Sequence, residues 1–111
     1  MNKSEEIQKF VYSNQLFALY GGLLTKKQQE VMRLYYNFDY SLQEISENLG
    51  ISRAAVSDTI KISNGHLENF ETVLGISRQK TRLAEISKKL ALTSLDPEQR
   101  RLIEDLEKEL E

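Results

Sequence analysis

Arg53, Ser57 and Lys61 recur four residues apart, a spacing that lines side chains up along one face of a helix. Ala54 and Asp58 sit one position further round, so a helix here shows Arg53, Ala54, Ser57, Asp58 and Lys61 on one side. Those residue types suit a polyanion. Arginine bonds guanine or phosphate, serine bonds a base edge or a phosphate oxygen, and alanine offers apolar contact to a thymine methyl. Asp58 repels phosphate unless it accepts from a cytosine amino group or orients Arg53. Lys26, Lys27 and Arg33 are three further cations that could flank a duplex. No other chemistry is spelled out. His66 is the single histidine and there is no cysteine, so no metal-ligand set forms. No glycine-rich phosphate loop, nucleophile motif or spaced carboxylate pair occurs either. The sequence therefore predicts a protein that is not an enzyme and carries no cofactor or metal.

The segment Ser41–Ile60, SLQEISENLGISRAAVSDTI, has the grammar needed to hold such a face out. Ser41 and Glu44 form a capping box at a helix start. Leu42, Ile45 and Leu49 share one face, and Ser46 is the small residue where a second helix must approach. Gly50 stops the first helix, since glycine takes the left-handed conformation at little cost. Ile51 plugs the corner, Ser52 caps the next helix, and Val56 and Ile60 point inward. This is a helix-turn-helix, whose second helix enters the major groove of DNA in proteins that use it so.

The remaining elements read as helices. Ser4 is the expected N-cap of the first, with Glu5 and Glu6 in its first turn. Its apolar face is Ile7, Phe10, Val11, Leu16, Phe17, Leu19 and Tyr20, and Gly21-Gly22 ends or bends it. Thr25 caps a second helix with Val31, Met32, Leu34 and Tyr35 inward, and Asn37–Tyr40 is a turn. The helix from Ser52 is long: Val56, Ile60, Ser63, Leu67, Phe70 and Leu74 alternate steps of four and three, a heptad-like seam. Asn64-Gly65 is a turn signal inside it, but the seam keeps phase across the pair and predicts a continuous helix. Leu74-Gly75 stops that helix, and Ser77 is the expected cap of the next, with Leu83, Ile86 and Leu90 on one side. Asp96-Pro97-Glu98 starts a last helix running to about Leu110.

The fold class is therefore all-α. With 111 residues, 40% of them hydrophobic, the chain suits one compact domain with an appendage. No apolar run approaches a membrane span. The start, MNKSEEIQKF, is charged where a signal peptide would be apolar; these features predict a cytoplasmic protein. The net charge of −2 counts against nucleic acid. Residues 1–76 hold seven Lys/Arg against nine Asp/Glu, and residues 77–111 eight against eight. The run Arg78, Lys80, Arg82, Lys88 and Lys89 could attract RNA or an acidic protein, or simply form a solvated face.

From Leu23, LLTKKQQEVMRLYYNFDYSLQEISENLGISRAAVSDTIK resembles region 4 of bacterial sigma factors. It is closer still to the small YlxM-like family of helix-turn-helix proteins. NQLFALYGGLLTKKQ, the Tyr35-Tyr36 pair, DYSLQEI and SRAAVSDTIK carry the match, over about the first 75 residues. The resemblance implies a DNA-binding regulatory protein of the cytoplasm, linked to the signal recognition particle pathway. It divides the chain into residues 1–76, a helix-turn-helix domain that is winged-helix-like and sigma-region-4-like, and residues 77–111, a C-terminal helical extension. Two positions depart from the family pattern: Ala54 stands where glutamine is common and Ile62 where arginine is common. Both departures remove groups suited to DNA.

Two readings follow. In one, the protein binds DNA weakly and regulates transcription through Arg53, Ala54, Ser57, Asp58, Lys61, Lys26, Lys27 and Arg33. In the other, the fold is kept and the surface meets a protein or RNA of the signal recognition particle. A homodimer would let two half-sites about 34 Å apart share the contacts. Its contact would come from the seam at Ile60, Leu67 and Leu74 or from the C-terminal helices; packing of the seam onto the first helix of the same chain is the simpler expectation.

Overall fold

The computed structural model describes residues 2–111. It contains α1 (Lys3–Tyr20), a 3-10 turn (Gly21–Leu23), α2 (Lys26–Tyr36), α3 (Leu42–Leu49), α4 (Arg53–Leu74), α5 (Ile76–Ala91) and α6 (Pro97–Leu110). No strand occurs among the described residues, so the all-α class holds and the β-wing of a winged-helix-like domain is not among them. No helix among them is long and apolar enough to cross a membrane. The chain falls into two compact units, residues 1–74 and 75–111.

The first unit is built on helix α4. One cluster packs Leu67 of α4 against Leu16 and Tyr20 of α1, Met32 of α2, and Leu24, with Ile60 and Phe70 alongside. The second packs Val56 of α4 against Val31 of α2 and Ile45 of α3, with Leu42, Leu49 and Ile51 closing it. Ile60 touches both clusters. The seam on α4 is thus spent inside the chain, against α1 and α2, as the simpler expectation had it. Its last member departs from the pattern: Leu74 is 54% exposed, so the buried part of the seam ends at Phe70 and Glu71. There the Tyr20 hydroxyl donates to Glu71 Oε1 at 2.7 Å, giving a buried carboxylate a partner from α1.

Helix α4 runs unbroken through Asn64-Gly65. Ser63 and Leu67 are buried on either side of the pair. The Asn64 amide donates to the Tyr36 hydroxyl at 3.2 Å, so the residue that would open a turn is tied to α2 instead. Tertiary burial outweighs the roughly 1 kcal/mol that a mid-helix glycine costs against alanine.

Two expected caps are placed elsewhere. Asn2, not Ser4, caps α1: its side chain accepts from the Glu5 N–H at 2.8 Å, and the helix starts at Lys3. Asparagine is as good a cap as serine, and the earlier one adds two residues, about half a turn, of helix. Nor does Ser77 cap α5, which begins at Ile76 after Gly75 in the left-handed region at φ 64°. One glycine both ends α4 and opens α5, leaving no room for a separate cap. Thr25 with Gln28 and Asp96 with Gln99 form reciprocal capping boxes, and Pro97 stands at the first position of α6.

Toward its N-terminus α1 loses its cover. Ile7 is 58% and Val11 48% exposed, although both belong to the apolar face read from the sequence. Phe10 is the residue that reaches the body there, its ring 4.8 Å from that of Tyr36 and 5.7 Å from that of Tyr35.

Candidate nucleic-acid interface

The corner between α3 and α4 is fixed by short-range hydrogen bonds. The Ser41 hydroxyl accepts from the Glu44 N–H at 3.1 Å, and the Glu44 carboxylate accepts from the Ser41 N–H at 3.0 Å. At the other end of α3, Gly50 adopts φ 67°, ψ 33° and donates to the Ser46 carbonyl at 2.9 Å. The Ile51 N–H donates to the same carbonyl at 3.2 Å, and the Ser46 hydroxyl returns a bond to the Ile51 carbonyl at 2.5 Å. Three bonds between two residues and a glycine leave the turn little freedom. The Ser52 hydroxyl then accepts from the Ala55 N–H at 3.0 Å and starts α4.

At Gly50 the backbone favours glycine, because a Cβ in the left-handed region crowds the following carbonyl. We expect Gly50→Ala to lower the unfolding free energy by about 1–2 kcal/mol, read as a lower midpoint in urea. The corner should also respond to acid. Two hydrogen bonds from Ser41, the backbone one the stronger, hold the Glu44 carboxyl below its ordinary value of 4.5. A lowered folded value means that the cap's contribution is complete above pH 4.5 and fades as the pH falls through that lower value. Titration of the Glu44 carboxyl by NMR should place its midpoint below 4.5, with the Glu44 amide losing hydrogen-exchange protection over the same range.

Behind the corner, Val56 is fully buried against Val31 and Ile45, which sets the rotation of α4 about its axis. The outward face follows from that rotation: Arg53, Ala54, Ser57, Asp58 and Lys61 are all exposed. They extend over about 12 Å of helix, at 1.5 Å per residue, close to the width of the major groove of B-DNA. Ile62, beside them, is 54% exposed. Lys26 and Lys27 stand exposed in the first turn of α2 and Arg33 in its last turn. The structure thus gathers five of the eight candidate residues on one helix face and leaves three on a second helix, at its two ends.

What the sequence reading missed is the part played by Ser46. Small size suits Ser46 to the helix crossing, yet its hydroxyl and its carbonyl together hold Ile51 in place. A serine four residues before a helix-ending glycine is the signal that pointed to it.

A family model described as "Putative helix-turn-helix protein, YlxM / p13 like" matches residues 7–109. The chain belongs to this family. Among its members, the UPF0122 protein of Thermoanaerobacter sp. (strain X514) is 40% identical over 109 residues, covering 92% of this chain and 93% of its own length. That of Acetivibrio thermocellus is 40% identical over 103 residues, covering 86% and 88%. That of Limosilactobacillus reuteri is 51% identical over 69 residues, covering 62% and 61%. For this YlxM-like chain the comparisons and the corner geometry agree on a helix-turn-helix.

Proposed function

We propose that this protein binds DNA and regulates transcription in the cytoplasm, with the N-terminal half of α4 in the major groove. The observation that carries the reading is the exposed face from Arg53 to Lys61, held outward by the Gly50 corner and by the burial of Val56. Arg53 is at the N-terminal end of α4, the end that meets base edges in such motifs. Ser57 bonds a base edge or phosphate, Ala54 packs on a thymine methyl, and Asp58 orients Arg53 or accepts from cytosine. Lys61, Lys26, Lys27 and Arg33 contact phosphates. With this few cations the affinity falls near the non-specific range of roughly 10⁻⁴–10⁻⁶ M at physiological salt.

A second reading has its own support. Asp58 and the exposed Ile62 suit a protein surface better than a phosphate backbone. In that case the same face meets a protein or RNA component of the signal recognition particle pathway. Selection from a random DNA pool, followed by titration of wild type and Arg53→Ala, separates the two. Enrichment of a motif, with a tenfold or greater loss on Arg53→Ala (about 1–3 kcal/mol for a bidentate base contact), supports DNA. An unenriched pool with unchanged weak binding transfers the face to the second reading.

A further inference from the structure

Residues 75–111 have a seam but no core. The connection between α5 and α6 is only residues 92–96, which makes the two helices antiparallel neighbours. The Ser87 hydroxyl, 3.4 Å from Glu107 Oε1, marks their line of contact. On α5 that line is made of small side chains: Ser87 is buried, and Ala84 and Ala91 are half-buried. No hydrophobic side chain of this unit is fully buried. Leu83, Ile86 and Leu90 on α5 and Leu102 and Leu106 on α6 are 37–61% exposed.

These five residues form one surface. At 100° per residue, Leu83, Ile86 and Leu90 lie to one side of Ser87, and Leu102 and Leu106 lie to the same side of Glu107. The other side of the hairpin holds the shallow cavity lined by Ala84, Lys88, Glu107, Leu110 and Glu111. Units under about 40 residues usually need disulfides, a metal or association to stay folded. The chain has no cysteine, and no cluster of His, Cys, Asp or Glu among the described residues could hold a metal ion. The exposed leucine stripe points to association.

Charge identifies the partner. Helix α5 carries Arg78, Lys80, Arg82, Lys88 and Lys89 against Glu85 alone. Helix α6 carries Glu98, Glu104, Asp105, Glu107 and Glu109 against three cations. A surface that is basic along one half and acidic along the other is complementary to itself under a two-fold rotation. We propose that the leucine stripe is a homodimer interface: two hairpins stack face to face in an antiparallel four-helix bundle, α5 of each copy on α6 of the other. The two-fold axis runs along the helices. An axis across them would set α5 on α5 and oppose like charges. In the first arrangement Arg82 and Lys89, which border Leu83 and Leu90, face the partner's Asp105 and Glu109, which border Leu106. The inference goes beyond the DNA reading and holds whichever ligand the α4 face takes.

Light scattering coupled to gel filtration on the full chain tests it. The wild type should run at twice the chain mass of 12.9 kDa. Leu106→Arg should run as a monomer, losing by circular dichroism at most the helix that residues 75–111 contribute. The pair Arg82→Glu and Lys89→Glu should weaken the dimer by about tenfold or more at low salt, and adding Asp105→Lys and Glu109→Lys to the same chain should restore it. A wild type that stays monomeric at about 100 μM overturns the proposal. So does a dimer indifferent to Leu106→Arg, or a charge reversal that the second pair does not rescue.

Discussion

Truncating Leu67 to alanine should cost residues 1–74 about 2–5 kcal/mol of stability, toward the upper end of that range. Leu67 is fully buried and meets Leu16, Tyr20, Leu24 and Met32, contributed by α1, α2 and the loop between them. A cavity there cannot collapse without moving α4 against two other helices, and the cost of such substitutions rises with the volume left empty. Urea denaturation followed by circular dichroism measures it. Val73→Ala is the matched control: at 81% exposure its side chain packs on little, and its effect should stay within about 0.5 kcal/mol. Leu67 is also remote from the outward face, so the folded fraction of Leu67→Ala should bind nucleic acid as the wild type does. A normal midpoint for Leu67→Ala would mean that α4 is not packed as described.

Raising the salt fourfold should weaken DNA binding about 500-fold if Arg53, Lys61, Lys26, Lys27 and Arg33 each neutralise a phosphate, a slope of about −4.5 at −0.9 per contact. The spread of these cations over two helices makes the slope a structural measurement. Arg53→Ala and Lys61→Ala should each reduce it by about 0.9 if α4 lies along the duplex. Lys26→Ala and Arg33→Ala report separately on the two ends of α2. Should one end of α2 stand clear of the duplex, substitution there leaves the slope unchanged and the wild-type value falls below −4.5 in magnitude. Anisotropy titrations of one labelled duplex from 50 to 200 mM salt supply all the values. A slope that ignores Arg53 and Lys61 would remove the α4 face from the interface.

Local signals in the chain were sufficient for the helix-turn-helix. Ser41 and Glu44 bond only to each other's neighbourhood, Gly50 needs only its own backbone freedom, and Ser52 reaches only three residues ahead. Interactions of that range are written in consecutive residues, so the sequence is enough to place them. Ambiguity entered where two local answers were equally good. Asn2 and Ser4 are both competent caps, and Gly75 made Ser77 unnecessary.

The sequence alone determined the number of helices, the corner at Gly50 and the register that turns Arg53, Ser57 and Lys61 to one side, because capping and 3.6-residue periodicity act within a few residues of each other. Tertiary packing decided the rest. It spent the heptad-like seam of α4 on α1 and α2, kept α4 straight through Asn64-Gly65 by tying Asn64 to Tyr36, and left Leu74, Ile7 and the α5–α6 leucines uncovered. Periodicity says that a face is apolar; only the positions of the other elements say what covers it.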